Sequence, residues 1–243
     1  MDCRVASLLA VTFAGLPHRC AARDNGLVQT FLGVGAQSRW IHKLPNGKTR
    51  MQHVTFTQMQ DGTEEDYQLL HRLEQAYIRT LPDRLLAALQ DLSESLPGYK
   101  ISRLEHSLQS ASRAEDDGAD IDMVVAALLY DIGDVLAPDN HSQMAASILR
   151  PYVRAEVTWV VEMHGLFQMQ FYAHHLGKRN DGHLAYAQHP WFASCQRFCA
   201  LYDQTAFDPA YPSRGLAHFA PMVHTVFARQ PFDPVVLQEP DKA

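Results

Sequence analysis

Cysteine is scarce in this chain. Its 243 residues hold four, Cys3, Cys20, Cys195 and Cys199, too few for a scaffold built on disulfides. Cys195 and Cys199 stand four apart on one face of a helix-like stretch, with no second Cys/His pair nearby at zinc spacing, so they read as buried reduced thiols. Internal repeats and low-complexity tracts are missing as well. The apolar run from Val5 to Leu16 is too short for a membrane span. Basic charge is lacking after residue 50: fourteen Lys/Arg stand against 25 Asp/Glu there, whereas the first fifty residues hold seven against two. So acidic a body argues against a nucleic-acid partner, which needs a basic face. An apolar share of 47% and a charged share of 20% are those of an ordinary globular chain and exclude collagen, a disordered tail and a multi-span membrane protein.

The first fifty residues do not match the rest. An apolar run behind Arg4, followed by Arg19, Arg23, Arg39, Lys43 and Arg50, has the make-up of a transit peptide or a weak secretory signal. An upstream extension ahead of Met51 is a third reading. Residues 1–50 are therefore expected to be an N-terminal extension, targeting or disordered, and 51–243 one domain. The expected compartment is the cytoplasm, or the mitochondrion if 1–50 is a transit peptide.

From Glu64 onward the apolar spacing is helical. Tyr67, Leu70, Leu73 and Tyr77, then Leu85, Leu89 and Leu92, recur at three and four residues, with a break at Leu81-Pro82. Thr63 followed by Asp66 has the form of a helix start. Ser102 to Glu115 is a further helix, and Asp122 to Asp131 is apolar on almost every side, as a central buried helix is. Helices are expected at 140–149, 153–164, 167–176, 190–203 and 214–228. No stretch alternates with period two for long. The fold class is all-α, a bundle of about seven to nine helices.

Eleven of the thirteen histidines lie after residue 50. Most read as ordinary: His174 and His175 as a helix end, and His189, His218 and His224 as surface or packing residues. Four positions stand out together. His106 sits mid-helix, Asp131 ends the most apolar helix, His141 opens a helix after a Pro-Asp-Asn turn, and His164 precedes Gly165. An ionised carboxylate at the end of so apolar a helix is costly to bury without a cation or donors. A divalent metal gathering it with imidazoles from neighbouring helices meets that need, as in other helix bundles. The alternative is that Asp131 bonds to amides around Ile132-Gly133.

The ordered set Arg103-Leu-Glu-His106, Leu128-Leu-Tyr-Asp-Ile-Gly-Asp134, Asn140-His141, Glu162-Met-His164 and Leu201-Tyr-Asp203-Gln resembles the HD-domain superfamily over about 97–228. Within it, the set is most similar to the branch of phosphonate-cleaving oxygenases and myo-inositol oxygenase. The resemblance implies an HD-type helical bundle holding two metals. His106 and Asp203 would bind the first, His141 and His164 the second, with Asp131 shared between them and central to catalysis. The cofactor implied is iron, one or two ions, or Mn, Mg or Zn if the chain is instead a phosphohydrolase. The partners implied are a small-molecule substrate and dioxygen.

One position departs from that pattern: Tyr130 stands where the superfamily has the His of its His-Asp pair. A phenol with a pKa near 10 ligates only when the metal displaces its proton. Tyr130 is thus a phenolate ligand, a mark of a weak or empty first site, or a sign of a non-catalytic scaffold; an ordinary buried packing residue is the simplest alternative. Asp131, His141 and His164 keep the two-imidazole, one-carboxylate set that leaves non-haem iron open to oxygen and substrate. On the substrate side, positions that in the phosphonate oxygenases hold Tyr, Glu and Lys read Leu96, Tyr99 and Gln168. Tyr99 is a candidate to reach an open metal position, or a turn residue on the surface. Gln168, Lys100 and Arg103 are candidates for substrate contact, together with Lys178, although each basic residue reads most simply as a solvated surface charge.

Overall fold

In the computed structural model, residues 42–43, 49–50 and 53–238 are described. The targeting reading of residues 1–50 therefore falls outside them, as do Cys3 and Cys20. The chain divides into two units, Met1–His53 and Val54–Ala243. In the first, His42–Lys43 and Thr49–Arg50 form a two-residue antiparallel pair. The second is helical.

Nine α-helices are described: α1 Glu64–Ile78, α2 Leu81–Asp91, α3 Arg103–Asp116, α4 Ile121–Leu129, α5 His141–Leu149, α6 Ala155–Tyr172, α7 Phe192–Phe198, α8 Leu216–Phe227 and α9 Pro234–Leu237. Among the described residues no helix is long and apolar enough to cross a membrane. Their starts follow side-chain chemistry. Thr63 accepts from the Asp66 amide while the Asp66 carboxylate takes the Thr63 amide, satisfying two donors that a helix end leaves unpaired. Ser102 accepts from Glu105 N at the start of α3, and Asp120 from Met123 N at the start of α4. These caps fix where α3 and α4 begin, and so which of their faces turns inward.

Every residue of α4 from Asp122 to Leu129 is buried, and the helix packs against α3, α6 and α8. Its own Leu128 and Leu129 are fully buried, as are Leu89, Leu92 and Leu149 of the same core. Each such side chain contributes roughly 1.5–3 kcal/mol, an upper figure because the unfolded chain already hides part of its surface. The inner face of α3 is different, for Arg103, His106, Ser107, Gln109, Ser110 and Ser112 are all buried there. A helix that presents polar groups to the core needs partners for them. Gln109, for example, is clasped by Asp208, donating to its carbonyl at 2.7 Å and accepting from its amide.

Two expectations need correction. The helices expected at 153–164 and 167–176 are one, α6, running straight through Gly165. A Cβ at Gly165 would lie 2.9 Å from Ser142 Oγ, so the glycine lets α5 approach closely rather than ending the helix. The real stop is Gly177, at φ +67°, after the 3-10 turn Ala173–Leu176. Second, the helix expected at 190–203 ends at Phe198 and continues as a π-turn, Cys199–Asp203. Such turns insert one extra residue into a helix and so redirect the side chains that follow; here the residue at the end of the turn is Asp203.

Candidate metal centre

Asp131 lies just past the end of α4, at the start of the 3-10 turn Ile132–Val135, and is only 2% exposed. Its two carboxylate oxygens face different neighbours. Oδ1 is 3.3 Å from His164 Nε2 and 3.5 Å from His141 Nε2, and those two nitrogens are 3.2 Å apart. Among the described residues, Asp131, His141 and His164 are a group able to hold a metal ion, their ligand atoms all lying within 4.8 Å of one another.

The local structure explains the orientation of both rings. His164 Nδ1 is 2.6 Å from Val161 O, one turn earlier in α6, and His141 Nδ1 is 3.2 Å from Pro138 O. A carbonyl oxygen only accepts, so each Nδ1 carries a hydrogen and each Nε2 is left facing the other ring and Asp131. In the metal-free protein His164 Nε2 donates to that carboxylate, and once that proton is gone its lone pair is available to a metal ion. Two ring nitrogens and a carboxylate oxygen converging in this way could hold one cation between them. For an ion bound at about 2.1 Å, ligand atoms are spaced about 3.0 Å apart in an octahedron and about 3.4 Å in a tetrahedron. The observed 3.2–3.5 Å spacing fits one ion. His141 is held from below by Gly133, where a Cβ would lie 2.7 Å from His141 Cα.

Oδ2 meets the Arg103 guanidinium in a short ion pair and His106 Nε2 at 3.4 Å. Arg103 Nε also donates to Asp134 Oδ2 at 2.8 Å. Expected to be a solvated surface charge, Arg103 is instead buried between two carboxylates, at positions 28 and 31 residues farther along the chain. Burial works against charge on Asp131, but the Arg103 guanidinium and hydrogen bonds from His106 and His164 outweigh it and hold the carboxyl well below its ordinary range. Asp134 moves the other way, because burial and the neighbouring Asp131 charge raise it.

Tyr130 is fully buried, its hydroxyl 2.5 Å from His106 Nε2, 3.1 Å from Asp203 Oδ1 and 3.2 Å from Ser110 Oγ. Burial and the charges of Asp131 and Asp203 push the phenol well above its ordinary value, so it keeps its proton. The neutral hydroxyl thus sits against both His106 and Asp203, which are themselves 3.4 Å apart, Nε2 to Oδ1. His106 Nδ1 is 2.7 Å from Ala206 O, and its ring lies 4.1 Å from Phe207, which in turn stacks on Tyr99 at 5.0 Å. Burial opposes a charge on His106, but hydrogen bonds and attraction from Asp131 and Asp203 prevail and raise its pKa to about 9.

That shift sets a pH dependence for the metal-free protein. The His106 pKa is higher in the folded chain than its ordinary 6.5, so its stabilisation is complete below pH 6.5 and fades as pH rises to about 9. His164, also raised by Asp131 against the effect of burial, acts in the same direction. Urea denaturation of metal-free protein should show a loss on the order of 3 kcal/mol between these limits, and His106→Gln should flatten the slope. Stability that stays level or rises across this range would contradict the arrangement.

A cavity of about 490 Å³ opens above the cluster. Tyr99, Gln168, Tyr172 and Phe207 line it, together with Leu96 and Pro138. Tyr99 is 50% exposed and forms part of the rim. Gln168, one turn beyond His164 on α6, has a buried Oε1 with no hydrogen-bond partner. Lys100 and Lys178 are exposed and do not line the cavity, so they stand apart from the site. Sequence reasoning assigned no role to Asp134 or Phe207. Asp134 was detectable as a second acid three residues after Asp131, whereas Phe207 carried no local signal. The thiols of Cys195 and Cys199 donate to Val160 O and His164 O, both at 3.6 Å, and are buried and free.

The chain is therefore an all-α protein with a buried Asp/His/His group, capable of holding a metal ion, beneath a cavity. No protein-family model matches it. Over 92 residues it is 29% identical to a hydroxymethylphosphonate dioxygenase of Gimesia maris, a match covering 33% of this chain and 46% of that protein. The chain thus spans less than half the length of the curated relative it matches. That relative is distant and is named as a dioxygenase.

Proposed function

We propose that this chain is a non-haem iron-dependent oxygenase that uses dioxygen to cleave a C–P or C–C bond of a small polar substrate. The reading is carried by the convergence of Asp131 Oδ1, His141 Nε2 and His164 Nε2 at the spacing of one ion. The name of the Gimesia maris relative supports the reaction class. Asp131, His141 and His164 would hold the iron, and two imidazoles with one carboxylate are the ligand set that would let it supply the chemistry of dioxygen activation beside a substrate.

The chain's own residues then divide the work. His141 and His164 have rings oriented by Pro138 O and Val161 O, so they need little rearrangement to ligate. Gln168 Oε1, buried and unpaired beside the cluster, accepts a hydrogen bond from a substrate hydroxyl, and a substrate lacking that donor leaves the acceptor unsatisfied. The stacked rings of Tyr99 and Phe207 keep water from one wall. Arg103 is the one cationic side chain among the lining residues outside the histidines, and Asp131 and Asp134 already occupy it. An anionic substrate group therefore finds no free cationic side chain in the wall, which suits a neutral polyol better than a phosphonate.

Iron(II)-loaded protein is expected to consume oxygen with a small hydroxyalkylphosphonate or polyol, incorporating labelled oxygen into the product. Nitric oxide, an oxygen surrogate, should give a high-spin iron–nitrosyl paramagnetic resonance signal even without substrate. Release of phosphate from monoesters under argon with manganese or magnesium, and no oxygen uptake with iron, would instead establish hydrolysis.

A further inference from the structure

We infer that the Arg103 guanidinium takes the place of a second cation on Asp131, so that this centre holds a single metal ion by construction. The inference rests on the reading of Asp131, His141 and His164 as metal ligands and deepens it. A carboxylate that bridges two ions gives one oxygen to each. Here Oδ1 faces the two imidazoles, while Oδ2 is already taken by Arg103. The guanidinium is not free to swing away, because its Nε is bound to Asp134 Oδ2 at 2.8 Å and its side chain is nine-tenths buried.

Its location supports the same reading. Arg103 is the first residue of α3, where the helix end carries partial positive charge and disfavours a cation. Only the acids across the cavity floor compensate for placing it there. Tyr130 adds to this: His106 Nε2 and Asp203 Oδ1 lie 3.4 Å apart, but the protonated Tyr130 hydroxyl contacts both, at 2.5 Å and 3.1 Å, and takes the place an ion between them would need. Charge gives an independent reason. Three carboxylates, Asp131, Asp134 and Asp203, are buried or nearly so around the centre. Arg103 and one divalent ion already supply the three positive charges that balance them, before any charge on His106 is counted. A second divalent ion would leave two positive charges uncompensated in a buried site, which is expensive.

The test is metal content after saturation with manganese(II) or anaerobic iron(II) and removal of excess. The wild-type chain should hold one ion. Tyr130→His should still hold one, because Arg103 remains on Oδ2. The double variant Arg103→Gln/Tyr130→His should rise towards two, and Arg103→Lys/Tyr130→His, which keeps the cation, should stay near one. Two ions in the wild type, two in Tyr130→His alone, or one in the folded Gln double variant would each overturn the inference. Should the double variants not fold, the paramagnetic resonance of manganese-saturated wild type decides: an isolated ion supports the inference and an exchange-coupled pair refutes it. A wild type that binds no metal, or one whose content survives His164→Ala, would instead defeat the underlying ligand assignment.

Discussion

His164→Ala is expected to remove the metal almost completely, lowering the content from about one ion per chain to below about a tenth under conditions that saturate the wild type. The side chain is one of three proposed ligands, and the other imidazole beside Asp131, that of His106, faces the opposite carboxylate oxygen and the Tyr130 hydroxyl. Losing even an outer partner of a ligand typically costs 10–100-fold in affinity, so loss of the ligand itself should cost at least about 100-fold. Part of the effect falls on the metal-free fold, since Asp131 loses one of the donors that hold it ionised in a buried position. His174→Ala is the control. His174 is an exposed residue of the 3-10 turn after α6, and its removal should leave metal content unchanged. Elemental analysis of protein purified without chelators measures both; unaltered metal in His164→Ala would show that the ion, if any, sits elsewhere.

Gly133→Ala should be the most damaging Gly→Ala change among the described glycines. A Cβ there would lie 2.7 Å from His141 Cα and 2.8 Å from His141 O, both backbone atoms that have no rotamer to move into. The 3-10 turn after Asp131 and the start of α5 must then separate. We expect a loss of about 3 kcal/mol or more in urea denaturation, at the upper end for overpacking. Because the displaced residue, His141, is a proposed ligand, metal affinity should fall along with stability. Gly165→Ala makes the useful contrast: its new methyl meets only Ser142 Oγ, at 2.9 Å, which can rotate away. Alanine also gains up to about 1 kcal/mol of helix propensity over glycine, so the net change there should be small. A Gly133→Ala protein within about 0.5 kcal/mol of wild type would mean that turn and helix are not packed backbone to backbone.

Those two glycines also mark the limit of what the chain's order of residues makes legible. The helices of the bundle can be read from apolar spacing and from Thr63, because both signals are local. The end of α6 cannot, because Gly165 has the local look of a stop and only the approach of α5 shows why it is not one. In the candidate site, the convergence of Asp131, His141 and His164 was suggested by their order along the chain and by the cost of burying a carboxylate beside so apolar a helix. The surroundings were not. Arg103 reads as a surface charge until Asp131 and Asp134 fold over it. Phe207 gains its place in the Tyr99–Phe207–His106 stack only through the π-turn and the loop that follows it. Residues whose role depends on a partner thirty or a hundred positions away leave no periodic trace.

Iron-edge anomalous diffraction from crystals of the iron-loaded protein tests the centre most directly. One peak is expected within roughly 2.3 Å of Asp131 Oδ1, His141 Nε2 and His164 Nε2 together, facing the cavity lined by Gln168 and Tyr99. Fully loaded crystals with no peak among those three atoms, or with iron bound only at some other place on the chain, would contradict the account.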